Sequence, residues 1–263
     1  MKRRHCLVFA LAAPTFARPA SGADAAHAFD EAINKAGRQR MLSQRACKAW
    51  FAKGLDVVPD LAAKVLAASI ALFERQLAEL AAFAPEPRIQ DLYARLGTAW
   101  TGYKTLLLRG TPSRGDGADV LDRAGQVLKL AHEGTGMIEA LSTRPASHWV
   151  NVCGRQRMLS QRLAALHLGA SWGVEAGFAQ AEIAKARTEF AAAQAALEKA
   201  PEDTPQIREE LQMADLQWGF FDAALRGLTP GAPDPVSMSN VFTTSERILE
   251  VMDGVTGRFA KLG

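Results

Sequence analysis

Along most of the chain, apolar residues recur three and four positions apart rather than alternating with polar ones. β-Branched and aromatic residues are scattered, while Ala, Leu, Glu, Gln, Lys and Arg fill long stretches, the composition of helices and not of strands. The breaks are equally regular. Gly54 to Pro59 closes a first helix and Pro59-Asp60 opens a second. Pro85 and Pro87 separate the second from the third, and Gly110 to Gly117 the third from the fourth. Further on, Thr204-Pro205 and Asp234-Pro235 have the form of an N-cap followed by proline at the first helical position. Helices of about 20–28 residues joined by short loops favour antiparallel bundles. The pattern predicts an all-α protein, either two tandem four-helix bundles or one merged eight-helix array.

A repeat explains the regularity. Asn34 to Arg45 recurs as Asn151 to Arg162, with the nine residues GRQRMLSQR identical at an offset of 117. The same offset places Phe73 on Phe190, Gly102 on Gly219 and Leu108-Arg109-Gly110 on Leu225-Arg226-Gly227. With a small insertion, Val120-Leu121 then falls on Val241-Phe242 and Leu141 on Leu262. Expected boundaries are a signal peptide over 1–23, a first four-helix repeat over 24–143 and a second over 144–263, meeting near Pro145.

Composition sharpens this reading where charge is concerned. The 263 residues are 48% hydrophobic and 22% charged, enough apolar material for a sizeable core. The formal charge of +3 invites a polyanionic partner until the N-terminus is considered. There Lys2, Arg3 and Arg4 precede an apolar run from Cys6 to Ala13 and a small-residue exit at Ser21-Gly22-Ala23, the layout of a secretory signal. The run is far short of the roughly 20 residues a membrane span needs. Removing Lys2, Arg3, Arg4 and Arg18 from the 31 cations leaves 27 against 28 carboxylates, a net charge near −1. The expected destination is the periplasm, and no nucleic-acid partner is expected.

Local charge is less balanced. From Ala32 to Leu55 there are six cations and no carboxylate, and from Pro145 to Val174 three arginines and no carboxylate. Helix surfaces usually interleave signs, because like charges one turn apart repel. Ile33, Gly37, Arg40, Gln44, Cys47 and Phe51 share one stripe, so Arg40 lies with apolar residues and a glycine, not on a plainly solvated face. Gly37 and Gly154 each cost roughly 1 kcal/mol in mid-helix, which close approach of another backbone or a ligand would offset. Two readings stand at this point. The arginines pair with carboxylates of neighbouring helices, or they hold an anion, which planar, permanently charged guanidinium suits.

The repeated Asn-x-x-Gly-Arg-Gln-Arg-Met-Leu-Ser-Gln-Arg resembles the signature of the PilJ-type domain, found at the N-terminus of type IV pili methyl-accepting chemotaxis transducers. It is similar also to the sensor-helix motif of nitrate/nitrite-sensing histidine kinases. The resemblance implies a small anion held between two first helices by the central arginine of each, here Arg40 and Arg157. Gly37 and Gly154 would permit the close approach, with Met41, Met158, Ser43, Ser160, Arg45 and Arg162 completing the candidate site. No kinase, HAMP or methyl-accepting segment is expected, since the repeats take up the sequence. The expectation is therefore a sensor in which duplication replaces dimerisation, binding a small oxyanion such as nitrate or nitrite. The competing expectation is an adaptor that docks on a membrane chemoreceptor, transporter or type IV pilus component, its arginines meeting acidic partner residues.

Other chemistry is not indicated. No zinc, haem, phosphate-loop or Ser-His-Asp pattern stands out, so neither enzyme activity nor a cofactor is expected. His132, His148 and His167 look isolated, with surface roles. Trp50, Trp100, Trp172 and Trp218 look like core or inter-helix anchors. In a parallel pair of first helices, Cys47 and Cys153 would sit ~16 Å apart in height, beyond disulfide reach.

Overall fold

A computed structural model describes residues 22–201 and 204–262, with side chains from Ala28 onward. The expected signal peptide lies almost wholly outside the described residues. Eight helices follow in order: α1 (Gly22–Gly54), α2 (Pro59–Phe83), α3 (Pro87–Leu107), α4 (Gly117–Glu139), α5 (Pro145–Ser171), α6 (Ala176–Leu197), α7 (Pro205–Leu225) and α8 (Pro235–Phe259). A 3-10 turn at Arg114–Asp116 precedes α4, and no strand occurs among the described residues. At 33 residues α1 exceeds the expected length.

Local chemistry sets the helix starts. Proline occupies the first turn of α2, α3, α5, α7 and α8, where its missing N–H goes unnoticed. Thr204 Oγ1 accepts from the Ile207 amide, and the Asp234 carboxylate from the Val236 and Ser237 amides. The α1–α2 and α5–α6 turns are alike: Val58 and Glu175, 117 residues apart, both hold a left-handed backbone before the next helix, with φ of 41° and 46°.

The helices form two sets of four built around a shared central pair. α1 packs on α2 and α4, α5 packs on α6 and α8, and α3 and α7 lean on α4 and α8. The most extensive interface of all joins α1 to α5. These two helices run parallel and in register. Asp30 accepts from Ser147, Gly37 faces Gly154, and the Phe51 ring meets Gly169 while Trp172 meets Gly54. One apolar core runs through both halves, so the merged eight-helix arrangement describes the molecule better than two separate bundles. The tryptophans serve as expected anchors. Trp100 stacks on Phe73 and Trp218 on Phe190, at 3.7 and 4.0 Å, while Trp50 and Trp172 meet across the central seam at 6.0 Å.

Two expectations need correction. The offset is not 117 throughout: buried Ile89, Tyr93, Leu96, Tyr103 and Leu107 of α3 match Ile207, Leu211, Ala214, Phe221 and Leu225 of α7 at 118. Leu108 therefore does not correspond to Leu225, nor Gly102 to Gly219; Leu108 is exposed where Leu225 is buried. The extra residue falls in the longer α6–α7 connection. The histidines differ too. His167 is buried, at the position Trp50 takes in the first repeat, and His132 touches Arg40. Cys47 and Cys153 are both buried and free, and burial pushes each thiol up to about 12.

Candidate anion site at the crossing of the repeated helices

Most of the repeated motif is accounted for by helix-to-helix pins. Gln39 and Gln156 donate to the carbonyls of Phe73 and Phe190, which ties each first helix to the second. Gln44 and Gln161 donate to the carbonyls of Ala124 and Ser245, which ties it to the fourth. Ser43 and Ser160 hydroxyls donate to the carbonyls of Arg40 and Arg157. Among the outer arginines, Arg38 pairs with Asp253 at 2.9 Å, Arg155 with Glu189 at 2.9 Å and Arg162 with Glu182 at 2.7 Å. Arg45 pairs with Glu246. For these four the carboxylate-pairing reading holds. Met41 and Met158 are buried along the flanks of the same helices.

Arg40 and Arg157 are placed differently, although Arg157 also reaches a carboxylate, Asp253. They are 1% and 0% exposed, and both turn inward over the Gly37–Gly154 contact. Their Nη2 atoms lie 3.0 and 3.4 Å from the point where a Cβ on Gly154 would sit, so the two guanidiniums share one small volume. A side chain on either glycine would intrude there, which explains two glycines in helix interiors. Gly154 would carry its Cβ at 3.6 Å from the Gly37 Cα, a backbone approach that only small residues allow.

Each arginine crosses to the other helix. Arg40 Nη2 donates to Asn151 Oδ1 at 2.7 Å and to the Asn151 carbonyl at 3.2 Å; Arg157 Nη2 donates to Asn34 Oδ1 at 2.8 Å. The asparagines opening each motif are thus part of the site, as are His132 and Asp253, none of which was singled out from the sequence. Asn34 and Asn151 were legible as the first letter of the repeat. His132 and Asp253 were not, because they lie on the fourth helices, where the halves have diverged.

The symmetry breaks at that last pair. With the offset of 121 that matches Val120 to Val241, Asp253 corresponds to His132. Asp253 accepts from Arg157 Nη1, whereas the group beside Arg40 Nη1 is the His132 ring, at 3.3 Å. Burial would raise the Asp253 carboxyl, but Arg157 and Arg38 hold it below its ordinary value. Arg40 has no carboxylate within ion-pair distance among the described residues. Burial first, then the Arg157 and Arg155 charges, press its guanidinium down to about 9, so it stays charged at neutral pH. Burial first, then the Arg40 and Arg155 charges, lower the His132 ring below its ordinary value. The Nε groups of Arg40 and Arg157 are both buried without an acceptor. The site therefore holds two cations, one carboxylate in contact with them and a second, Glu139, behind Asn151, while both arginines keep an orphaned Nε donor.

No helix among the described residues is long and apolar enough to cross a membrane, and no group of His, Cys, Asp or Glu there has the makings of a metal site. Comparison with curated proteins and with solved structures gives no match. Comparison with protein families matches the one described as PilJ, type IV pili methyl-accepting chemotaxis transducer N-term, over residues 26–126 and again over 142–242. Those two matches take in both repeats and most of the chain, which belongs to the PilJ family and carries its helical sensing module twice in tandem.

Proposed function

We propose that this protein is a periplasmic sensor for a small oxyanion of the nitrate or nitrite type, bound between Arg40 and Arg157. The observation that carries the reading is the pair of orphaned, buried Nε groups beside an uncompensated guanidinium. An orphaned buried donor costs about 1–3 kcal/mol, and more when it is charged. A planar anion with two or three oxygens accepts from both Nε groups and supplies the missing negative charge. In that role Gly37 and Gly154 bring the helices close, Ser43 and Ser160 brace the carbonyls beneath the arginines, and Met41, Met158, Arg45 and Arg162 hold the flanks. Signalling would follow from the change in α1–α5 packing, passed to a membrane partner.

Calorimetry of the mature protein with nitrate and with nitrite tests this. The expected result is one anion per chain, lost in the Arg40→Ala, Arg157→Ala double variant. No heat with either anion, or binding unchanged in the double variant, contradicts it.

A second reading has its own support. An adaptor role cannot use Arg40 and Arg157 as contacts, since both are buried. It would use α7, where Met213, Leu216 and Phe220 form an exposed apolar stripe. The matching positions on α3 are Arg95, Thr98 and Gly102. Loss of association with a membrane receptor or transporter on Phe220→Ser, with anion binding intact, would place partner docking on that face.

A further inference from the structure

Two grooves flank the central helix pair, related by the internal repeat. One lies between α1, α2 and α8, about 570 Å³, with Glu246, Arg247, Glu250 and Asp253 on the α8 side facing Arg38, Arg45 and Arg75. The other lies between α4, α5 and α6, about 260 Å³. At the offset of 121, its α4 wall carries Gly125, Lys129 and His132 in place of those three acids. The carboxylates of the second groove, Glu182 and Glu189, come from α6 instead, and each is paired with an arginine of α5. Lys129 and Lys185, both exposed in the second groove, have no ion-pair partner among the described residues. His132 lines the same groove and reaches Arg40 Nη1 at its inner end. In the first groove the matching position is closed by Asp253, which engages both Arg157 and Arg38.

Resting on the anion-clamp reading, we infer that the α4–α5–α6 groove is the single mouth of the site, with Lys129 and Lys185 drawing the anion in and His132 standing at the threshold of Arg40. The larger groove keeps no such excess of positive charge: Arg38, Arg45 and Arg75 are paired with Asp253, Glu246 and Glu79, and Glu250 offsets Arg247. In the smaller groove Glu189 and Glu182 are taken up by Arg155 and Arg162, which leaves the two lysines as its excess charge. Such an excess concentrates the opposite ion and raises its capture about 10- to 1000-fold, an effect that salt removes. An internal duplication with equal motifs would otherwise give two equivalent ways in; divergence of the fourth helices leaves one.

The test uses surface substitutions that spare the core. In nitrate calorimetry at low ionic strength, Lys129→Glu with Lys185→Glu is expected to weaken affinity at least about tenfold, the gap narrowing in high salt. Glu250→Lys, in the other groove, is expected to change affinity less than about twofold. His132→Asp, which places a carboxylate where Asp253 sits in the other half, is expected to weaken binding at least about tenfold by occupying Arg40. Unchanged affinity in the double lysine variant, or a rise in Glu250→Lys as large as the fall in the lysine variant, overturns the single mouth and leaves the clamp standing. Absence of nitrate binding by the unaltered protein overturns both.

Discussion

Arg40 and Arg157 share a sequence context and a degree of burial but not a neighbour, and that difference carries most of the chemistry. Glycine is the other residue that matters at this scale. A Cβ on Gly154 would lie 3.0 Å from Arg40 Nη2, so Gly154→Ala must push the guanidinium or part the helices. The expected loss is about 1–3 kcal/mol in denaturant unfolding, with anion binding reduced alongside. Gly136, exposed in α4 with nothing within 4 Å of a Cβ, is the control: Gly136→Ala is expected to stabilise by about 0.5–1 kcal/mol. The repeat made Gly37, Arg40 and their counterparts legible, since two copies of a costly glycine beside an arginine ask for a geometric reason. What the sequence could not show was which arginines are neutralised. Arg40 and Arg45 share an acid-free helix, and the placement of Glu246 on a distant helix pairs Arg45 alone of the two.

At the scale of the helix, the prolines, caps and glycine turns marked nearly every boundary, because these signals act within a few residues. Pairing between helices was less accessible. The slip of one residue between α3 and α7 arises in a loop, where nothing in local pattern fixes the count. Contact between α1 and α8 is clearest at Lys48, fully buried, which donates to Ser245 at 2.8 Å and to Glu246 at 2.6 Å. Burial would raise the Glu246 carboxyl, but Lys48 and Arg45 hold it at about 2. Its contribution is therefore complete above the ordinary carboxylate range and is lost as pH falls towards 2. Lys48 carries the opposite sign. Burial outweighs Glu246 and lowers the ammonium to about 8, so the unfolded chain binds this proton more firmly, and stability rises as pH climbs from about 8 towards 10.5. Glu246→Gln should cost about 3–5 kcal/mol in chemical denaturation by stranding a buried cation, whereas Lys48→Met should be neutral or stabilising. Similar losses from both would show that the pair stabilises by its mutual attraction and not by sparing a buried charge.

For the whole molecule, duplication sets two first helices side by side within one chain. Their parallel, in-register contact sets Gly37 on Gly154, and one merged core surrounds that contact. The fold class and the repeat were readable from the chain because each half is written in the same local code. The asymmetry was not, since it lives in the relation of α4 and α8 to helices far away in sequence. Function and stability are expected to oppose one another here, because a charge kept buried for a ligand weakens the unliganded fold. Thermal unfolding of the unaltered protein and of Arg40→Met, each with and without nitrate, tests this most directly. The account predicts that nitrate at a hundredfold its Kd stabilises the unaltered protein by about 2.7 kcal/mol. It predicts that Arg40→Met is more stable without nitrate, by about 1 kcal/mol or more, and no longer responds to it. An unaltered protein indifferent to nitrate, with Arg40→Met less stable, would make Arg40 a structural residue and contradict the central claim.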